Sequence, residues 1–245
     1  MGWHRELLIG FDLETTGTDP REARIVTGAV IEVMDGRRTG HKEWLADPGV
    51  EIPADAVAVH GISNERAASE GRPADQVADA IADVLVAYWK TGVPVVAYNA
   101  VFDLSLLSAE LWRYGLPSLR DRLGGLDPAP VIDPYTIDRR ADRYRRGKRN
   151  LEAVCREYGI ALDSAHDASA DALAAARLAC AIATRHPKIA ALGPAELHRR
   201  QIDWYAEQAA DFQDFLRRKG DPAAVVDGTW PLREPAGETV AGEKV

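Results

Sequence analysis

The chain has 245 residues, 46% of them hydrophobic, and a formal net charge of −8, which provides apolar material for one large domain or for one domain with an appendage. That acidity excludes a protein that coats duplex DNA through broad, sequence-independent phosphate contacts. No apolar run is long enough to span a membrane and the N-terminus lacks the basic-then-apolar order of a secretory signal, so a cytoplasmic protein without membrane contacts is expected.

Residues 7–13 and 25–34 are apolar, β-branched runs separated by the turn-forming Gly17, Asp19 and Pro20, which predicts antiparallel strands. Residues 42–45 offer a third strand, and 53–59 a short helix ahead of HGIS. Pro73 opens a longer helix in which Val77, Ile81, Val84, Leu85 and Tyr88 recur at helical spacing. A buried strand over 93–98, a helix over 102–114, a Gly/Pro/Asp-rich loop over 118–130 and a short strand ending at Ile132 follow. Helices are expected over 135–144, 151–158 (ending at Gly159) and 168–184, the last capped by Asp167 or Ser169 and stopped by Pro187. This order predicts an α/β domain with a mixed β-sheet flanked by helices over residues 1–190. From 191 to 232 an amphipathic helical extension is expected, its stripe of Leu197, Trp204, Tyr205, Ala209, Phe212, Phe215 and Leu216 lying on a helix over 194–219. Residues 233–245 are polar and Gly/Pro-bearing, hence expected to be disordered. Cys155 and Cys180 stand far from any Cys or His partner and are expected to be reduced packing residues.

Five polar residues carry the chemistry. Asp12 and Glu14, two apart on the first strand, point to the same face. Two such carboxylates, joined by others, repel one another unless protonated or neutralised, and oxygen-only ligands suit Mg²⁺ or Mn²⁺. Asp103 opens a helix, where a lone Asp is ordinarily a cap. His166 and Asp171 are five residues apart and on one continuous helix would point about 140° apart, so a shared site requires a break between them. A run of seven basic residues from Arg139 to Arg149 is either a solvated helix end or a contact for a substrate backbone.

The motifs DLETTG (Asp12, Glu14), YNAVFD (Asp103) and HDASAD (His166, Asp171), with HGIS at His60 and RNLEAVCREYGI from Arg149, resemble in order and separation the DEDD-type 3′-to-5′ exonucleases. The similarity covers roughly residues 5–185 and is to the DnaQ-like branch, in which a histidine marks the third motif. The resemblance implies a ribonuclease H-like fold and two divalent cations, Mg²⁺ or Mn²⁺, held by Asp12, Glu14, Asp103 and Asp171. It makes His166 a general base for an attacking water, with nucleoside 5′-monophosphates released from a 3′ end. Thr15, Thr16, His60, Asn99 and Phe102 match positions facing the substrate; for His60, a turn histidine bonded to backbone is an equal account. Tyr98 stands where histidine is common in the family, and Pro134 where threonine is frequent; Asp133 is either a helix cap or a support for the site. The DLETTG form resembles polymerase-associated members, so single-stranded DNA is the expected substrate, with an exoribonuclease of the oligoribonuclease type or a catalytically silent adaptor as the alternatives. The 194–219 helix is expected to pack on its own chain or a second copy, or to dock on a DNA polymerase.

Overall fold

In the computed structural model, residues 2–162 and 166–235 are described. The alternating LLIGFDLET segment forms β1 (Leu7–Thr15), placing Ile9, Phe11 and Leu13 on one face of the sheet and Leu8, Gly10, Asp12 and Glu14 on the other. It pairs antiparallel with β2 (Ile25–Met34), Asp12 opposite Ala29 and Glu14 opposite Thr27. β2 pairs antiparallel in turn with β3 (Arg37–Asp47), whose far edge carries the two-residue β4 (Arg72–Pro73). On the other side of β1, β5 (Val95–Val96) and β6 (Val131–Ile132) run parallel to it, giving the order β4-β3-β2-β1-β5-β6.

Helices cover both faces of this mixed sheet. The short α1 (Ala54–His60) and α2 (Asn64–Glu70) lie near β3, and α3 (Ala74–Lys90) and α4 (Ala100–Arg113) pack Val77, Ile81, Leu85, Leu104 and Leu107 against Ile9, Phe11 and Leu13. After the single-turn α5 (Leu119–Arg122) and β6, the opposite face receives α6 (Pro134–Ala141), α7 (Leu151–Tyr158) and α8 (Ala168–Arg185). α8 is rich in alanine, and its small side chains let its backbone lie close on β1 and β2. The approach is tightest at Gly10, where an added Cβ would sit 2.2 Å from the Ala172 carbonyl oxygen.

Several elements differ from expectation. β3 begins at Arg37 rather than at residue 42, because Asp35 and Gly36 (φ 50° and 73°) make a two-residue hairpin turn that hands RRTGHK directly to the open edge of β2. α2 and α5 are additional; α5 lies inside the segment expected to be loop and is started by a reciprocal Ser118–Asp121 capping box. α6 ends at Ala141, three residues short of the expected end, where the chain turns back so that Arg145 and Arg149 both reach the buried Asp138. The basic run is therefore partly structural.

The single-turn α9 (Pro187–Ala190) leads into α10 (Pro194–Lys219), which closes the β6 edge of the sheet. The Val131 N–H donates to His198 Nδ1 (3.0 Å), Gln201 Nε2 donates to the Val131 carbonyl (3.0 Å), and the Asp133 N–H donates to Gln201 Oε1 (2.7 Å). Helix side chains thus satisfy backbone groups that another strand would otherwise take. The apolar stripe of α10 is covered from within the chain by this edge and by α6 as far as Ala209, while Phe212 and Phe215 stay exposed. The segment after α10 returns across the first core, burying Trp230 and Leu232. Of the expected tail, Arg233 donates to Ser105 Oγ (2.8 Å) and Glu234 accepts from Ser108 Oγ (3.0 Å), while residues 236–245 lie outside the described residues. Among the described residues no helix is long and apolar enough to cross a membrane, and both cysteines are free.

Gly10→Ala should force α8 off the sheet and cost about 1–3 kcal/mol, the usual range for overpacking. Urea unfolding of the two proteins measures it, and an unchanged midpoint would refute the close-approach account.

Candidate active site

Because β1, β5 and β6 are parallel, their C-terminal ends share one edge of the sheet, and the sequence-expected site residues gather there. β1 presents Asp12 and Glu14. α4 starts after β5 and carries Asp103 in its first turn, where the carboxylate is 3% exposed and its Oδ1 accepts a bond from the Leu13 N–H (3.1 Å). That bond fixes Asp103 to the residue between the two β1 carboxylates. Asp171 sits one turn inside α8, and His166 precedes the helix with φ 67°, so the chain breaks between them as their convergence requires. The His166 N–H donates to Asp171 Oδ2 (3.2 Å). Ligand-type atoms of Glu14, His166 and Asp171 all lie within 4.8 Å of one another.

The electrostatics are those of like charges held together. Burial first, and then Asp103, Asp171, Glu14 and Asp167, push the Asp12 carboxyl well above its usual range. Burial, followed by Asp171 and Asp167, lifts Glu14 to about 7. Burial also raises Asp103 and Asp171, against the backbone N–H bonds each accepts. Asp171 Oδ1 is buried with no hydrogen-bond partner among the described residues. A hard divalent cation answers both features, the unpaired oxygen and the mutual repulsion, so the residues fit a metal of the Mg²⁺ or Mn²⁺ kind.

The flanking positions are built as follows. Asn99 caps α4 in the left-handed conformation (φ 63°), and its N–H donates to Asp133 Oδ1 (2.9 Å). Asp133, fully buried, also caps α6 by accepting from the Tyr135 N–H (2.9 Å) and takes the Thr136 hydroxyl (2.9 Å), so it is both a cap and a support for the site. The Tyr98 hydroxyl donates to the Arg149 carbonyl (2.5 Å), which turns it away from the cleft chemistry. Phe102 is half-buried against the first core. Two of the expected substrate contacts use their hydroxyls locally: Thr15 donates to the Gly17 carbonyl (2.7 Å), and Thr16 Oγ1 accepts from the Arg24 N–H (2.9 Å). His60 Nδ1 accepts from the Ile62 N–H (3.1 Å), leaving Nε2 as a buried donor beside Thr15 and His166.

Asp167 is expected from the sequence only as a cap of α8. It does cap α8, accepting from the Ala170 N–H (3.0 Å), but its charge also bears on Asp12, Glu14 and Asp171. Its place next to His166 inside HDASAD was the available signal. Gln201, which reaches the site through Asp133, had none, because its partner is distant in sequence.

The exonuclease family model RNase_T matches residues 9–179. The PolC-type DNA polymerase III of Streptococcus thermophilus is 28% identical over 169 residues, which are 69% of this chain and 10% of the polymerase; that of Streptococcus pyogenes is 27% identical over 179 residues, 73% and 11%. The chain therefore spans about a tenth of the length of these relatives. Among solved structures, E. coli Exonuclease I in complex with a dA16 oligonucleotide superposes with a TM-score of 0.63 at 21% identity, covering 75% of this chain and 42% of that one. Exonuclease I from Methylocaldum szegediense gives 0.60 at 23%, covering 86% and 46%. At these identities the structural likeness is one of fold.

With Glu14 lifted to about 7 by burial and by Asp171 and Asp167, a cation that binds there near neutrality displaces a proton. Calorimetry with Mn²⁺ in two buffers of different ionisation heat should register proton release on binding, and affinity should fall as the pH drops through about 7. A raised carboxyl stabilises the fold on the acid side and loses that contribution as pH rises. In EDTA the Tm should therefore be lower at about pH 8 than at about pH 6, with Mg²⁺ restoring it at pH 8. A flat profile in both experiments would dismiss the like-charge account.

Proposed function

Because the chain belongs to the exonuclease family, in its DnaQ-like DEDD branch, we propose that it is a 3′-to-5′ exonuclease releasing nucleoside 5′-monophosphates from single-stranded DNA ends. The observation that supports this reading is the convergence of Asp12, Glu14, Asp103 and Asp171 at one strand edge, with His166 close to Glu14 and Asp171. Two divalent cations of the Mg²⁺ or Mn²⁺ type, held by the four carboxylates, would supply charge neutralisation at the phosphodiester, acidification of the attacking water and stabilisation of the departing 3′ oxygen.

The chain's own residues do the rest. His166, exposed at the rim, takes the proton of the attacking water on a ring nitrogen. The Asp171 carboxylate, by accepting the His166 backbone N–H, keeps that ring beside the site. Asp103, tied to Leu13, and Asn99, tied to Asp133, hold the start of α4 so that Phe102 can contact the terminal base. Water adds to phosphorus as the bond to the 3′ oxygen breaks, leaving a 5′-monophosphate and a strand shorter by one nucleotide. DNA is favoured over RNA because the relatives are DNA polymerases and a fold neighbour holds a deoxyoligonucleotide.

A time course on 5′-labelled single-stranded DNA and RNA of matched sequence, with Mg²⁺ or Mn²⁺, should give a ladder shortening from the 3′ end, faster on DNA. Asp12→Ala should fall to background with the fold retained, and His166→Ala should lose about 10²- to 10⁴-fold in kcat while keeping metal affinity. No cleavage of either strand would overturn the reading, and loss of metal binding in His166→Ala would make that histidine a ligand instead.

A further inference from the structure

A recess of about 430 Å³ lies between α6, the loop after it and α10, away from the carboxylate cluster. Its charge is unusual for a chain of net charge −8. Five arginines between Arg139 and Arg149 line the recess, against two carboxylates, Glu207 and Asp211. Arg145 and Arg149 are committed to the buried Asp138, but Arg140–Glu207 (3.1 Å) and Arg143–Asp211 (2.8 Å) are exposed ion pairs, which are weak and readily exchanged. Arg139 has no carboxylate partner among the described residues; it lies 5.4 Å over the Tyr135 ring and donates to the Tyr135 hydroxyl (3.1 Å).

Phe212 lines the recess with these guanidinium groups, and Arg140 lies 5.7 Å over the Trp204 ring. Phe212 and Phe215 are stacked, with centroids 6.3 Å apart, and are 47% and 45% exposed; Tyr144, in the basic loop, is 88% exposed. The position also matters. β6 ends on the same edge as β1, so α6 starts at the catalytic edge, and Tyr135 packs edge-on against Tyr98 (5.7 Å), the residue before Asn99. The recess therefore begins where the catalytic edge ends.

We propose that this recess binds the single strand upstream of its 3′ end, with arginines on its phosphates and the exposed aromatic rings on its bases. The inference rests on the exonuclease reading above. Glu207 and Asp211 hold two of the arginines in place in the free protein and yield them to phosphate. α10, one wall of the recess, lies outside residues 9–179, so this contact belongs to the extension rather than to the core matched by the family.

Fluorescence anisotropy in EDTA, with labelled oligo(dT) of about 20 and about 3 nucleotides, tests this. Arg139→Ala combined with Arg143→Ala should weaken the long strand about tenfold and reduce its log–log salt slope by about 1.4, for two phosphates at about 0.7 each. Binding of the short strand and hydrolysis of a dinucleotide should not change. Glu207→Gln combined with Asp211→Asn should tighten the long strand, whereas Asp79→Asn with Asp83→Asn, the same charge change on α3, should not. Equal effects on both lengths, no effect on either, or equal tightening by the α3 control would overturn the proposal. So would light scattering that shows a dimer broken by the arginine changes, since the face would then join two copies. A wild-type protein that hydrolyses nothing defeats the exonuclease reading, whereas intact hydrolysis with unaltered long-strand binding defeats only this one.

Discussion

Four carboxylates brought together against their own repulsion are the constraint on which the rest of the structure depends. Nothing local favours the cluster; each member is held by a contact made elsewhere in the fold. Asp103 is fixed by the Leu13 N–H, between the two β1 carboxylates, and Asp171 comes within reach because Gly10 lets the α8 backbone settle against β1. Burial first, and the neighbouring carboxylates after it, push the protonation midpoints of Asp12 and Glu14 upward. A rigid anionic cleft that cannot relax by moving its charges apart is relieved by protons or by divalent cations.

Rigidity at the cleft extends to the opposite end of the chain. β5 and β6 are only two residues long, too short to define an edge unaided. α10 compensates through His198 and Gln201, and the Gln201 bond to Asp133 lies one step from the Asp133 bond to Asn99, which starts the helix bearing Asp103. The C-terminal helix is thus continuous with the support of the site through buried hydrogen bonds, each stronger for lying in a low-dielectric interior. Its free end, with Phe212 beside the arginines and Phe215 stacked on it, is the part of α10 that this structural role leaves available.

The legible parts of the sequence were those with a period or a motif. β1 and β2 were readable because apolar residues recur on both sides of their strands, and α8 and α10 because their stripes hold over many turns. The first half of β3, RRTGHK, shows no alternation, since exposed side chains carry no record of the backbone bonds that hold them; its only signal was the Asp35–Gly36 turn. α2 and α5 are so short that their caps, Ser63 and Ser118, say more than their composition. Thr15 and Thr16, beside the carboxylates in sequence, bond their hydroxyls to the Gly17 carbonyl and to the Arg24 N–H just before β2.

By itself the sequence determined the class of the fold, the order of its principal elements and the residues from which an anionic site is made, because periodicity and the order of motifs are properties of the linear chain. Only the tertiary structure decided that Asp133 serves two helices at once, that Asp167 adds its charge to the cluster, that four of the seven basic residues pair with Asp138 or the acids of α10, and that Gln201 reaches toward the site. The reason is physical. A hydrogen bond or an ion pair depends on distance in space, and residues such as Asp133 and Gln201 come within 2.7 Å only after the sheet has placed β6 against α10.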